Sequence, residues 1–429
     1  MSKIVFMLFT AIVLGLGWAV RGHFGHEWGA SWAGAMGALA VLAASKRKDW
    51  LLRAPALTAL GAIGWAAGGM MSYGIVIDYG RGTDFANVLY GLSMLSVIGG
   101  LYGFIGGGLF GLGLETTENK KPNWPNLITE MFVGGLIIWG FFIYQLEWFM
   151  TPPRSELWAG CLGAALALAW YLYREGFFRA LRVAGYAALG AGFGFAFGNF
   201  IQTLGITSGL QYNWWNVMEF TLGFSGGMGM AYAVITRKWP QSVKPSKTAN
   251  WMALIFVVTL IPLINYIDGF EIDYFTKLAE RFSFANPAHF ARLQMWFGFI
   301  VLTVMSIIFI WGWLRYQEKE NTLLETAMPA GLFLYSFYYV IFSHLRNSLI
   351  YRGFPLNSSE TPYIPIIIIA ALVWFFTRKK ETEFPNKVVK PETWKRWLII
   401  LGILFIVLIV ITTISINSHG PFGGAHERF

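Results

Sequence analysis

The chain has 429 residues, of which 56% are hydrophobic and 13% charged, with a formal net charge of +9. So few charged residues cannot cover the surface of a water-soluble domain this size, which excludes an ordinary globular enzyme and points to an integral membrane protein. The positive residues fall in short segments between apolar runs, not on one domain, so membrane topology accounts for the charge better than a nucleic-acid partner does.

In chain order, apolar runs at 4–20, 28–45, 54–73, 86–112, 127–149, 156–173, 183–204, 216–235, 250–267, 293–314, 326–343, 362–377 and 396–416 predict membrane helices. Each is close to the roughly 20 residues needed to cross about 30 Å of hydrocarbon, and none has the short alternating pattern of a barrel strand. The expected fold is all-α: a polytopic helical bundle of about 13 transmembrane helices. The first run has only Lys3 ahead of it and no small-residue cleavage site behind it, so it reads as a retained helix. Cys161, the single cysteine, lies inside an apolar run and reads as packing.

Alternate loops carry Lys46-Arg47-Lys48, Lys120-Lys121, Arg174, Arg237-Lys238, Arg315 and Lys395-Arg396. By the positive-inside rule these loops are expected in the cytoplasm, with the N-terminus inside and the C-terminus outside an inner membrane. All six histidines then fall on or near the outer side.

Three segments share one pattern: Gly17-Trp18-Ala19-Val20-Arg21-Gly22, Gly64-Trp65-Ala66-Ala67-Gly68-Gly69 and Gly194-Phe195-Ala196-Phe197-Gly198-Asn199. Each ends an outward-going helix and precedes a polar loop and a Gly-rich returning helix. A repeated helical hairpin explains this, although Gly, Ala and aromatic residues are common enough in membrane helices to match by chance. After about residue 240 glycine becomes sparse. The chain is therefore divided into a Gly-rich hairpin core over 1–240, with about eight helices, and a more lipid-like set over 241–429, with about five. The latter includes an outer amphipathic loop at 268–292.

The densest polar cluster is Arg21-Gly-His23-Phe-Gly-His26-Glu27, between the first two runs. Charged groups at the edge of hydrocarbon are costly unless they face a cavity or a partner. Arg21 either pairs with Glu27 or holds an anionic substrate. His23, His26 and Glu27 lack the order of a zinc-protease motif, so no metal is expected, and proton handling suits them better. Glu219, one turn inside the eighth run, is a further proton-coupling or general-base candidate.

Asn199 and Trp214 are candidate substrate contacts, the alternative for Trp214 being an interfacial aromatic belt. His344, Arg346 and Asn347, with Arg352 soon after, are candidates for completing an anion site or are plain loop residues. Asp78, Arg81 and Asp84 read as a turn-stabilising network, and the Gly-rich tail from His419 to Phe429 as flexible. No phosphate-cradling loop, dinucleotide fingerprint or Gly-x-Ser-x-Gly elbow is present, so neither ATP-driven pumping nor a bound cofactor is expected.

The leading expectation is an inner-membrane secondary transporter of a small polar or anionic solute, with proton coupling as an option and membrane lipids around it. The alternative is a membrane-embedded transferase acting on a lipid-linked or extracytoplasmic substrate through a His/Glu/Arg site.

Overall fold

A computed structural model describes residues 1–318, 324–347, 363–378, 381–386 and 393–429, and Arg352 lies outside them. Every regular element among the described residues is helical. In order these are α1 (Lys3–Arg21), α2 (Glu27–Ser45), α3 (Lys48–Leu51), α4 (Ala54–Gly69), α5 (Gly74–Tyr79), α6 (Phe85–Glu115), α7 (Trp124–Trp139) and α8 (Leu157–Arg174). They are followed by α9 (Phe178–Thr207), α10 (Trp214–Ile235), α11 (Lys247–Ile255), α12 (Ile261–Gly269), α13 (Ile272–Arg281), α14 (Pro287–Glu318), α15 (Leu324–Asn347), α16 (Tyr363–Thr377) and α17 (Trp394–Ser418). A π-helical turn extends α7 through Gln145, and another joins α11 to α12.

Among the described residues, eight helical segments are long and apolar enough to cross a membrane: α1, α2, α6, α7 with its extension, α9, α11 with α12, α14 and α17. The chain is a multi-pass helical membrane protein by that composition. The other helices pack among them, and the shorter α16 is itself strongly apolar.

Six helices close into a ring. Helix α1 packs on α2 and α10, α2 on α4, α4 on α6, α6 on α9, and α9 back on α10. Lipid tails are as apolar as leucine, so helices in a membrane hold together by close backbone approach and not by a hydrophobic drive between them. The seams of the ring meet this requirement with glycine. A β-carbon on Gly34 of α2 would lie 2.6 Å from the Gly61 carbonyl and 2.7 Å from Trp65 Cβ on α4. One on Gly223 of α10 would lie 2.7 Å from both the Leu14 carbonyl and Trp18 Cβ on α1. Gly99 of α6 meets the Ala191 carbonyl and Phe195 Cβ on α9 in the same way. In each seam a glycine of one hairpin sits against an aromatic residue of the next and the carbonyl four residues before it.

Helices α7 and α8 form a hairpin leaning on α6; α11, α12, α15 and α16 pack along α1, α2 and α4, and α14 packs on α12 and α15 with α13 against it. Helix α13, within 268–292, is amphipathic; its Phe275 and Ala279 are buried while Asp273 is exposed.

At the end of the bundle near Met1, the basic loops cap helices. Arg47 pairs with Asp49 at 2.6 Å, and Glu115 accepts from Arg179 at 3.0 Å and from the Ala180 amide at 2.9 Å. At the opposite end the C-terminal tail is not loose. Asn87 donates to the His426 carbonyl at 2.9 Å and accepts from the Arg428 amide at 2.6 Å, and Phe429 packs edge-on against Tyr90. Gly and Pro composition alone predicts flexibility there, but Asn87 satisfies the tail backbone on both sides of Glu427 and overrides it.

Candidate functional site

Arg21 is the last residue of α1, and Gly22 to Phe24 continue as a single 3₁₀ turn. Gly25 then takes φ +79°, a left-handed conformation that only glycine adopts without strain, and the chain reverses into α2. Phe24 anchors this reversal. It is fully buried, stacking on Tyr339 and Phe342 of α15 with ring centroids 5.1 and 5.9 Å away. His23 and His26, on either side of Phe24, are thereby held at fixed positions. His23 Nδ1 lies 2.6 Å from Ser343 Oγ of α15, and the His26 ring meets the Tyr73 ring edge-on at 5.4 Å.

The Arg21 side chain turns into the ring. It is 1% exposed, donates to Glu219 Oε1 on α10 at 2.9 Å, and also donates to the Tyr73 hydroxyl. Tyr73, in the turn before α5, completes the triangle by donating to the same carboxylate oxygen at 3.1 Å. One turn deeper along α1, the guanidinium lies over the Trp18 ring at 4.5 Å. Trp18 is in turn packed edge-on by Trp65 at 5.5 Å and Tyr102 at 4.8 Å. These rings are fully buried and fill the ring interior below Arg21. A buried charge is tolerable only when paired and hydrogen-bonded, and Glu219 with Tyr73 supplies both.

Above this cluster is a cavity of about 390 Å³, lined by Arg21, His23, His26 and Glu219 together with Ser72, Tyr73, Arg154, Trp215 and Asn216. Its wall is more polar than those of three other large cavities among the described residues, which are apolar grooves between helices. His26 sits in its mouth. Crowding by surrounding protein, and then the positive charges of Arg21 and Arg154, push its pKa down to about 4, so the imidazole is neutral near pH 7.

The structure thus brings together Arg21, Glu219, His23 and His26 from the sequence candidates. Glu27 begins α2 as an exposed residue outside the cavity wall, and the partner of Arg21 is Glu219. Asn199 is buried against the C-terminal end of α5, donating to the Ile77 carbonyl at 3.3 Å. Trp214 folds over Gly205 and donates to the Leu210 carbonyl at 3.1 Å, closing the α9–α10 loop, while its neighbour Trp215 reaches the cavity. His344 lies against the Val340 carbonyl, Arg346 binds the Gly269 carbonyl at 3.0 Å and covers Tyr274, and Asn347 ends α15. This group braces α12 and α15 and does not line the cavity.

Tyr73, Arg154 and Ser72 are cavity residues that sequence reasoning did not single out. Only Tyr73 carried a signal, as a polar aromatic just beyond the second Gly-Trp-Ala segment. No group of three or more His, Cys, Asp or Glu placed to hold a metal ion occurs among the described residues. Comparison with protein-family models, curated proteins and solved structures finds no match for the chain.

Proposed function

We propose that the protein is a multi-pass membrane transporter of a small polar or anionic solute, which binds in the cavity above Arg21. The observation that carries this reading is the Arg21–Glu219–Tyr73 cluster, charged groups set within a ring of apolar helices at the floor of a polar cavity. Ionisable groups at such a depth are expensive and mark substrate or ion pathways. The cavity volume of about 390 Å³ is within the usual range for small-molecule sites.

In this reading the bundle has about 13 crossings in an inner membrane, with the Met1 end cytoplasmic and the cavity outside, as the loop charges indicate. The hairpins α1–α2, α4–α6 and α9–α10 are three copies of one unit, supported by the like glycine seams between successive hairpins. Passage requires them to shift and open the Trp18, Trp65 and Tyr102 plug. Seams made of backbone contacts in place of interlocked large side chains suit such sliding. Glu219 with His23 is the better placed proton-handling pair, because Glu27 stands outside the cavity.

A membrane-embedded transferase using His23 or His26 as general base ranks second. The surroundings that keep His26 neutral also make it a weak base, well below the pKa near 7 that such a role favours.

The test is uptake of a labelled panel of sugars, amino acids and organic anions into vesicles holding the purified protein, with and without an imposed pH gradient. Uptake lost in both Arg21→Ala and Glu219→Gln supports the reading. Uptake unchanged in both variants, or turnover of a lipid-linked substrate without uptake, overturns it.

A further inference from the structure

The loop between α7 and α8 carries a second guanidinium to the cavity and is built to hold it there. Buried Glu156 accepts hydrogen bonds from the Met150 amide at 2.8 Å, the Thr151 amide at 2.8 Å and Trp158 Nε1 at 2.7 Å. Thr151 Oγ1 donates to the Ser155 carbonyl at 2.9 Å, and the Arg154 amide donates to the Thr151 carbonyl at 2.8 Å. The tail braces the same loop from outside, through Arg428 and the Phe149 carbonyl at 2.6 Å. One buried acid therefore organises a tight loop whose exposed product, Arg154, is part of the cavity wall.

The charges of the cavity do not balance. Arg21 is met by Glu219, whereas Arg154 has no carboxylate within ion-pairing distance among the described residues. Leaving the histidines aside, Arg21, Arg154 and Glu219 leave one positive charge over. A guanidinium presents its donors in a planar fork that matches carboxylate and phosphate oxygens, so the surplus is of the kind that selects an oxyanion. Deeper in, Arg21 Nε is buried without a hydrogen-bond partner.

We propose that the occupant is a small oxyanion of single negative charge, with a carboxylate or phosphate-type group, captured by Arg154 at the loop and drawn toward Arg21. This rests on the cavity being the binding site of the transporter reading. Arg154 is the specificity-determining residue and Glu156 a positioning residue that acts through it.

The experiment uses the full-length protein in detergent, following its melting temperature against increasing acetate, lactate and inorganic phosphate, with lactamide as the uncharged counterpart of lactate. At least one oxyanion is expected to raise the wild-type melting temperature while lactamide does not. Arg154→Ala, at an exposed position, should need roughly tenfold more oxyanion for the same rise, since a charge-assisted pair is lost. Arg154→Lys should fall between the two, and Glu156→Gln should weaken the oxyanion response. An equal response to lactamide, an Arg154→Ala response equal to wild type, or no response of wild type to any of the oxyanions overturns the proposal. The transporter reading survives each of these outcomes if vesicle uptake of an uncharged solute remains dependent on Arg21.

Discussion

The guanidinium of Arg21, at the end of α1, lies 2.9 Å from the carboxylate of Glu219 on α10, 198 residues further along the chain. Both side chains are almost completely removed from solvent. This pair ties the first and last helices of the six-helix ring together at the floor of the cavity, and it sets the first prediction.

Removing one member of a buried pair leaves the other charge uncompensated. Arg21→Met and Glu219→Leu should each cost about 3–5 kcal/mol alone, and the double Arg21→Met, Glu219→Leu variant should recover most of that loss while abolishing the proposed solute binding. Thermal melting of the two single variants and the double variant checks this. Additive losses in the double variant would mean that the charges are not energetically coupled.

The glycine seams make a second prediction. Gly34→Ala, Gly99→Ala and Gly223→Ala each force a methyl group against a carbonyl and an aromatic Cβ of the next helix, and should each destabilise the ring by roughly 1–3 kcal/mol. Gly312→Ala and Gly402→Ala, where an added Cβ meets nothing within 4 Å, should leave the melting temperature unchanged or slightly raised. Similar melting temperatures for both groups would show that backbone contact does not hold the seams.

His26 gives the pH dependence. Its pKa falls from the ordinary value of 6.5 to about 4 in the folded chain, so between those values the unfolded chain binds a proton that the folded chain does not. The resulting contribution to stability is complete above about pH 6.5 and is lost as the pH falls toward 4. A His26→Gln variant should therefore lose less stability than wild type over that window. Melting curves at intervals from pH 7.5 to about 4 measure the difference, and parallel curves would place His26 in an ordinary aqueous environment.

Asn87 makes the tail measurable. Its side chain accepts from the Arg428 amide and donates to the carbonyls of His426 and Tyr79. Asn87→Ala should collapse hydrogen-exchange protection at the Arg428 amide while leaving α6 protected. A tail amide that exchanges freely in wild type would contradict the docking.

Much of the architecture was legible in the residues, because hydrocarbon imposes a strict requirement on them: a spanning segment must be apolar and satisfy its own backbone, so composition and run length announce it. The amphipathic helix Ile272–Arg281 was readable for a related reason, its charges and apolar residues being sorted at helical spacing. The cavity was only half legible. Arg21 and Glu219 stood out separately as charges within apolar runs, but nothing local joined them, and proximity in sequence pointed to Glu27 instead. Trp214 and Trp215 are adjacent and alike in chemistry, and only the direction in which α10 starts places one over Gly205 and the other at the cavity.

The sequence by itself determined that this is a helical membrane protein with a polar cluster between its first two helices, since those properties follow from the cost of placing polar atoms in lipid. The pairing of Arg21 with Glu219, the recruitment of Tyr73 and Arg154, and the docking of the tail on Asn87 were decided by tertiary structure alone. The reason is that a hydrogen bond requires its partners within about 3 Å, and residues from distant segments reach that separation only once the helices have packed.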